Sequence, residues 1–120
     1  MARRGYCRID DFVELVGQLD DVERTDNRNY SKFTVSSRTF AYLWPETSTV
    51  GLRQTIAEQL ALVAERPSVF EIQFTTADFG WVVVYLEKIK RDELAELTFE
   101  AWRLSAPQTL VSARADRLPL

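Results

Sequence analysis

The stretch Trp81–Leu86, WVVVYL, is an apolar run without a polar side to turn toward water. Its length suits a β-strand and falls far short of the about 18 residues that span a membrane. Because successive strand residues point to opposite faces of a sheet, both faces of this strand must be covered. The preceding DFG resembles the magnesium-binding triplet of protein kinases, but the 120 residues include no histidine for a kinase catalytic loop. The run therefore predicts an interior strand.

The composition excludes most of the familiar catalytic chemistry. The sequence has no histidine and one cysteine, Cys7, so Ser-His-Asp and Cys-His nucleophiles and ordinary zinc sites are absent. A single cysteine cannot form an intramolecular disulfide, and nothing in the sequence indicates secretion. The net charge of −3 is mild. We therefore expect a soluble, cytoplasmic, non-enzymatic protein that has no membrane span and needs no cofactor.

Three helices are predicted from capping pairs that precede apolar stripes. The first predicted helix starts at the pair Asp11 and Glu14, and the second starts at the pair Thr55 and Glu58. The third helix starts at Asp92. A helical period of 3.6 residues brings the apolar side chains of each segment onto one face. The predicted stripes are Phe12, Leu15, Val16 and Leu19, then Ile56, Leu60 and Val63, then Leu94, Leu97, Ala101 and Leu104.

Two segments, Lys32–Ser36 and Thr39–Trp44, have the composition of strands and are close enough to form a hairpin. With Ser36-Ser37 as a two-residue turn, Phe33 would lie opposite Phe40. The period of two then places five apolar residues on one face, which we expect to be the core: Phe33, Val35, Phe40, Tyr42 and Trp44. Further along, 49–53 is expected to be a short edge strand and 69–74 to be extended.

The order of these elements predicts an α+β protein, with an antiparallel sheet and helices packed on one face as a two-layer sandwich. In that arrangement Val82, Val84 and Leu86 point at the helices, while Trp81, Val83 and Tyr85 occupy the second face. We expect one domain over residues 1–107, followed by a partly disordered tail over residues 108–120.

An ordered set of short segments resembles the MmcQ/YjbR family. The matching pieces are DDFVELVGQLDDVE, KFTVSSRTFAYLWP, AERPSVF, FGWVVVYL and AWRLSAP, which together span about residues 10 to 107. The resemblance implies a frataxin-like (CyaY-like) α/β sandwich and a function in DNA binding, because the family is labelled as predicted DNA-binding double-wing proteins.

The sequence departs from the family pattern at three places. Ser36-Ser37 replaces a glycine-containing hairpin turn, although Arg38 keeps the base that follows it. Val83 and Tyr85 stand where family members commonly carry arginines, and Gln108-Thr109 replaces a basic pair. These changes remove groups that would serve a DNA contact, so the resemblance implies the fold more strongly than it implies the ligand.

The candidate DNA-binding residues are four basic residues near the predicted hairpin: Arg24, Arg28, Lys32 and Arg38. The first three recur every four residues, which on extended backbone would place them on one side, and Arg38 lies at the hairpin tip. Positive charge is needed there because phosphate contacts and counterion release dominate DNA affinity. The alternative is a solvated loop whose bases pair with Glu23 and Asp26.

Two other readings stay open. The apolar set Trp81, Val83 and Tyr85 could form an interaction surface covered by a second copy, by another protein, or by Leu110, Val111 and Leu118 of the tail. The acidic first helix could bind a metal, as frataxin-like folds can. Helix capping explains Asp10 and Asp11 better, however, and we expect no metal site.

Overall fold

The computed structural model describes residues 6–114, which form one six-stranded antiparallel sheet and four α-helices. The helices are α1 (Ile9–Gly17), α2 (Ile56–Glu65), α3 (Arg91–Ser105) and α4 (Gln108–Arg114). The strands are β1 (Val22–Asp26), β2 (Ser31–Val35), β3 (Arg38–Trp44), β4 (Thr49–Gln54), β5 (Phe70–Thr75) and β6 (Gly80–Tyr85), in the spatial order β1-β2-β3-β4-β6-β5. Short 3-10 helices follow β3 and β6. The predicted α+β class is confirmed.

The helices cover one face of the sheet. A single hydrophobic cluster joins α1, α2 and α3 to the inward side chains of the strands, and α4 packs against it through Leu110 and Val111. Val82, Val84 and Leu86 are fully buried in this cluster, as the strand period predicts. β6 has β4 on one side and β5 on the other, so the prediction of an interior strand is confirmed. None of the helices within residues 6–114 is long and apolar enough to cross a bilayer.

A β-bulge changes the face of the second half of β3. Ser36 and Ser37 form the predicted turn, with the positive φ values of 50° and 68° that a primed hairpin turn requires. Phe33 nevertheless pairs with Ala41, because the register shifts and leaves Phe40 as an extra residue. Phe40 and Ala41 are both buried. The core prediction is therefore right for Phe33, Val35 and Phe40 and wrong for Tyr42 and Trp44, which lie on the outer face.

Three smaller expectations are corrected. The segment expected as an edge strand is β4, which lies between β3 and β6. In α2 the fully buried residue is Gln59, whereas Leu60, which was assigned to the apolar stripe, is 54% exposed. In α1 the Asp11 carboxylate accepts the Arg8 backbone N–H at 2.8 Å, and the N-cap is Arg8, three residues before the predicted cap. Thr55 caps α2 as predicted, accepting the N–H of Glu58 at 3.1 Å.

The described part of the tail is the helix α4, which the sequence pattern did not predict. Arg114 is 5% exposed, and its Nη1 lies 3.2 Å from Asp20 Oδ2. Trp102 of α3 donates its indole N–H to the Asp20 carbonyl at 3.0 Å, beside the same guanidinium. Residues 108–114 of the tail therefore pack on the helical side of the sheet. Residues 115–120, to which the expectation of disorder also applied, lie outside the described residues.

Truncation of Val84 to alanine should lower the free energy of unfolding by about 2 kcal/mol, because it removes fully buried methyl groups and leaves a cavity. The matched variant Val83→Ala alters the same strand on its outer, half-buried face and should cost under about 1 kcal/mol. Chemical denaturation of both variants measures the difference. Equal costs would contradict the assignment of the two faces.

Candidate nucleic-acid interface

The four basic residues predicted from the sequence do not form one surface. Arg24 lies in β1 opposite Phe33, with its guanidinium carbon 5.6 Å from that ring centroid, and therefore on the helical side of the sheet. Its Nε also donates to Asp26 Oδ1 at 2.8 Å. Hydrogen bonds from Ser31 and from Arg24 lower the pKa of Asp26, which fits a carboxylate already paired with a base. Arg24 is thus turned away from the outer face and is partly neutralised.

The other three basic residues predicted to bind DNA are separated by chain reversals. Residues 27–30 form the turn between β1 and β2, closed by a 2.8 Å hydrogen bond from the Asn27 N–H to the Tyr30 carbonyl. This turn carries Arg28 at one end of β2, whereas Arg38 begins β3 at the other end. Lys32 projects from the outer face of β2, opposite Tyr42. The four-residue spacing would align these bases only if the chain ran straight.

A different basic residue, Arg53 of β4, lies on the same face of the sheet as Lys32, two strands away. Its guanidinium carbon is 4.3 Å from the Phe79 ring centroid and 5.5 Å from that of Trp81. Burial lowers the pKa of Arg53, and the nearby positive charge of Arg38 lowers it further. Because the Tyr42 and Trp81 rings are only 5.4 Å apart, Lys32 and Arg53 flank one aromatic pair.

The outer face around this pair is covered by aromatic rings from four elements. Trp81 stacks on Phe74 at 5.3 Å, and Tyr42 stacks on Trp44 at 5.8 Å. Tyr30 adds a further contact with Tyr42 at 5.9 Å. We call these five residues the aromatic cluster. Burial is the main cause that raises the pKa of Tyr42, and the neighbouring Tyr30 raises it further.

The predicted interaction residues lie on this outer face but differ in exposure. Trp81 is only 3% exposed, although none of the described helices covers it, because neighbouring side chains of the same face enclose its ring. Val83 and Tyr85 are half-buried and lie beside the cluster. Leu110 and Val111 pack on the helical side, so these two tail residues do not cover the face. Leu118 lies outside the described residues.

Gly51, in the middle of the outer face, leaves room for the side chain of a neighbouring strand. It lies between Tyr42 of β3 and Val83 of β6 and presents no side chain. A Cβ there would approach Gln73 Oε1 to 2.3 Å and Trp44 to 3.0 Å, so the Gln73 side chain reaches in from the edge strand above the glycine. Gln73 Oε1 is buried and has no hydrogen-bond partner. The Gln73 side chain thus fills the space over Gly51, beside the Trp44 ring.

Gln59 of α2 holds the edge of the cluster in place from the opposite side of the sheet. Its Nε2 donates to the carbonyls of Trp81 and Phe74, at 3.0 and 3.1 Å, and its Oε1 accepts from the Thr75 hydroxyl. These bonds secure the bulge at Gln73, where the β5–β6 register shifts and turns Phe74 to the outer face. Burying Gln59 in this way explains why α2 does not bury Leu60.

Two acidic residues of the first helix, Asp11 and Glu14, are paired with Arg91 of α3. Arg91 Nη1 lies 2.6 Å from Asp11 Oδ1 and its Nη2 lies 3.2 Å from Glu14 Oε1. Among residues 6–114, no group of three or more metal-binding side chains is placed to hold an ion. The carboxylates of this helix therefore serve its start and its packing against α3.

Sequence reasoning missed several residues of the outer face. The period of two predicts Tyr42 and Trp44 in the core. The bulge at Phe40, which reverses their face, leaves no mark in the sequence. Gly51 and Arg53 carry a usable signal, since they alternate with the buried Val50 and Leu52 along β4.

The comparisons with known proteins agree on the fold. The YjbR family model matches residues 17–104. The crystal structure of Deinococcus radiodurans protein DR2400, with family-model domain DUF419, is similar with a TM-score of 0.76 and 18% identity. This similarity covers 99% of the present chain and 93% of that chain. No curated protein matches the sequence significantly.

Replacement of Gln59 by methionine keeps the side-chain length but leaves two buried carbonyls without their donor. Each unsatisfied buried group costs about 1–3 kcal/mol, so we expect a total loss of about 2–6 kcal/mol from the two carbonyls. The control Gln108→Met, at an exposed position, should be nearly neutral. Thermal and chemical denaturation measure both variants. A Gln59→Met protein as stable as the wild type would show that the bulge does not depend on these bonds.

Proposed function

The chain belongs to the YjbR family, and we propose that it is a non-enzymatic protein that binds DNA weakly through the outer face of its sheet. The observation that carries the proposal is the placement of Lys32 and Arg53 on either side of the half-exposed aromatic cluster. Cations meet phosphates, and aromatic rings on an open sheet stack with unpaired bases. This combination favours single-stranded DNA.

A duplex fits the face less well. The major groove admits a helix or a two-stranded ribbon, whereas the aromatic cluster lies on the broad face of a six-stranded sheet. Tyr30, Tyr42 and Trp44 are each half-buried, so part of each ring stays available to a base. The turn at Ser36-Ser37 is too short to reach into a groove as an extended wing. Base stacking, by contrast, needs no groove.

The charges on this face account for the expected weakness of binding. Lys32 and Arg53 lie on this face, and Arg38 is near enough to Arg53 to lower its pKa. Arg53 is partly engaged, because its Nη1 donates to the Ser105 hydroxyl at 3.1 Å. Glu23, opposite Thr34 on the same face of the sheet, opposes phosphate binding. The net charge of −3 adds long-range repulsion that salt screens.

The absence of catalysis is part of the proposal and has two supports. The sequence provides no histidine as a general base. Its single thiol, Cys7, is buried, and burial followed by the negative charge of Asp11 raises its pKa to about 11. A thiol with that pKa stays protonated at neutral pH and is a poor nucleophile.

Fluorescence anisotropy with a labelled single-stranded oligonucleotide measures whether the protein binds single-stranded DNA. Three phosphate contacts predict a log–log salt slope of about −2, at about −0.7 per contact for a single strand. The variant Lys32→Ala/Arg38→Ala should reduce the slope to about −0.7 and weaken binding at low salt. Arg53 is left intact because it also packs on Phe79 and Trp81.

The matched control Lys90→Ala/Arg103→Ala removes the same charge from exposed positions at the start of α3 and within it. It should leave binding almost unchanged. If the two double variants lost oligonucleotide affinity equally, the loss would be due to net charge alone, and this would contradict a site on the outer face. Absence of binding at low salt would overturn DNA as the ligand.

The second candidate is a protein-interaction or dimerisation module that uses the same outer face. The half-buried, uncharged pair Val83 and Tyr85 favours it, since no described segment covers them. The variant Val83→Arg/Tyr85→Thr separates the two functions. An added cation should strengthen oligonucleotide binding, with a salt slope steeper by about 0.7. Under the second candidate the same variant instead loses self-association, which light scattering after size-exclusion chromatography detects.

A further inference from the structure

The two edges of the sheet differ in how they are protected. The edge strand β1 presents Glu23, Arg24 and Asp26, and charges of this kind discourage pairing with another strand. The opposite edge, β5, exposes Ile72 at 50% and Phe74 at 41%. These are two of the four large exposed apolar residues within residues 6–114. An edge of this kind is a template for strand addition.

A third exposed apolar residue, Leu60 of α2, lies on the same side of the molecule. Glu58 lines the groove that faces α3, and Gln59 points into the sheet. Successive residues of a helix point in directions about 100° apart around its axis. Leu60 therefore points to the side opposite Glu58, away from α3 and toward the β5 edge. It is 54% exposed. Leu60 and Ile72 together therefore form an apolar strip on the helical side of this edge.

The backbone of β5 has an unpaired donor and acceptor at the centre of the strand. Tyr85 donates its N–H to the Val69 carbonyl at 3.0 Å, and in the same register Glu71 pairs with Val83. An antiparallel ladder alternates between residues that bond to the neighbouring strand and residues that point away from it. The N–H and C=O of Ile72 consequently point outward from the sheet.

The sequence of β5 is complementary to itself. In FEIQFT, antiparallel pairing about Ile72 brings Ile72 opposite Ile72, Phe70 opposite Phe74, and Glu71 opposite Gln73. Glu71 thus lies opposite Gln73 instead of a second Glu71, whose like charge would be destabilising. We propose that β5 binds the β5 strand of a second copy of this chain, in antiparallel register about Ile72.

The contact should be weak and concentration-dependent. The bulge at Gln73 interrupts the strand, and the Phe70 N–H already bonds to the Arg66 carbonyl, so few further ladder bonds are available. The two Ile72 residues exchange two hydrogen bonds, and the Leu60–Ile72 strips of both copies meet beside them. An interface of this extent lies at the small end of specific interfaces, below about 1,200 Å². This proposal does not depend on the DNA-binding proposal.

Sedimentation velocity from low micromolar to near-millimolar concentration tests the assembly. We expect the wild type to shift toward a dimer with concentration and Ile72→Lys to remain monomeric with an unchanged melting temperature. The control Tyr6→Lys makes a similar change at a 47%-exposed position away from β5 and should dimerise normally. A wild type that is monomeric throughout would overturn the proposal.

A cross-linking experiment tests the register. Residues opposite each other in a hydrogen-bonded antiparallel pair have Cα atoms about 5.5 Å apart, within the span of a disulfide. Ile72→Cys should therefore form a covalent dimer under mild oxidation, whereas Thr25→Cys on the β1 edge should not. Cys7 is buried and does not compete. Dimerisation that survives Ile72→Lys but is lost in Val83→Arg/Tyr85→Thr would assign the contact to the outer face and overturn the proposal.

Discussion

Burial of β6 on both faces is the constraint on which the rest of the structure depends. Helices cover its inner face, so Val82 and Val84 lie in the core. Within residues 6–114 no helix lies on the outer face, and the sheet covers itself there by packing Phe74 and Tyr42 around Trp81. The same rings that bury Trp81 form the proposed DNA-binding surface. The fold and the proposed DNA-binding function therefore share residues. Because Arg53 packs on Trp81, a substitution that removes its charge also changes the packing of the sheet.

Local patterns were sufficient to predict most of the elements, though not β1 or α4, and they predicted the buried face correctly for only some of them. Thr55 caps its helix, and the alternation of WVVVYL sorts its side chains, because both effects act within a few residues. The face of Tyr42 depends on the bulge at Phe40, and the face of α2 depends on carbonyls that Gln59 reaches in other strands. Such contacts join residues far apart in sequence, so a local period cannot indicate them.

The candidate site was predicted less well than the fold for the same reason. Regular spacing of Arg24, Arg28 and Lys32 suggested one basic stripe, but a chain reversal places Arg24 and Lys32 on opposite faces of the sheet. Arg53 joins Lys32 only because Trp81 and Tyr42 meet across the sheet. The family resemblance indicated the fold and a class of ligand, whereas the position of the charges became visible only in three dimensions.

The contacts of Asp20 with Trp102 and Arg114 have a consequence for the order of folding. Synthesis proceeds from the amino end, so all six strands leave the ribosome before α3, the helix that covers much of their inner face. The nascent sheet therefore remains open until α3 emerges, and its closure requires contacts between residues about eighty positions apart. Contacts of such long sequence separation slow folding. During this interval the apolar strands are a natural substrate for chaperones.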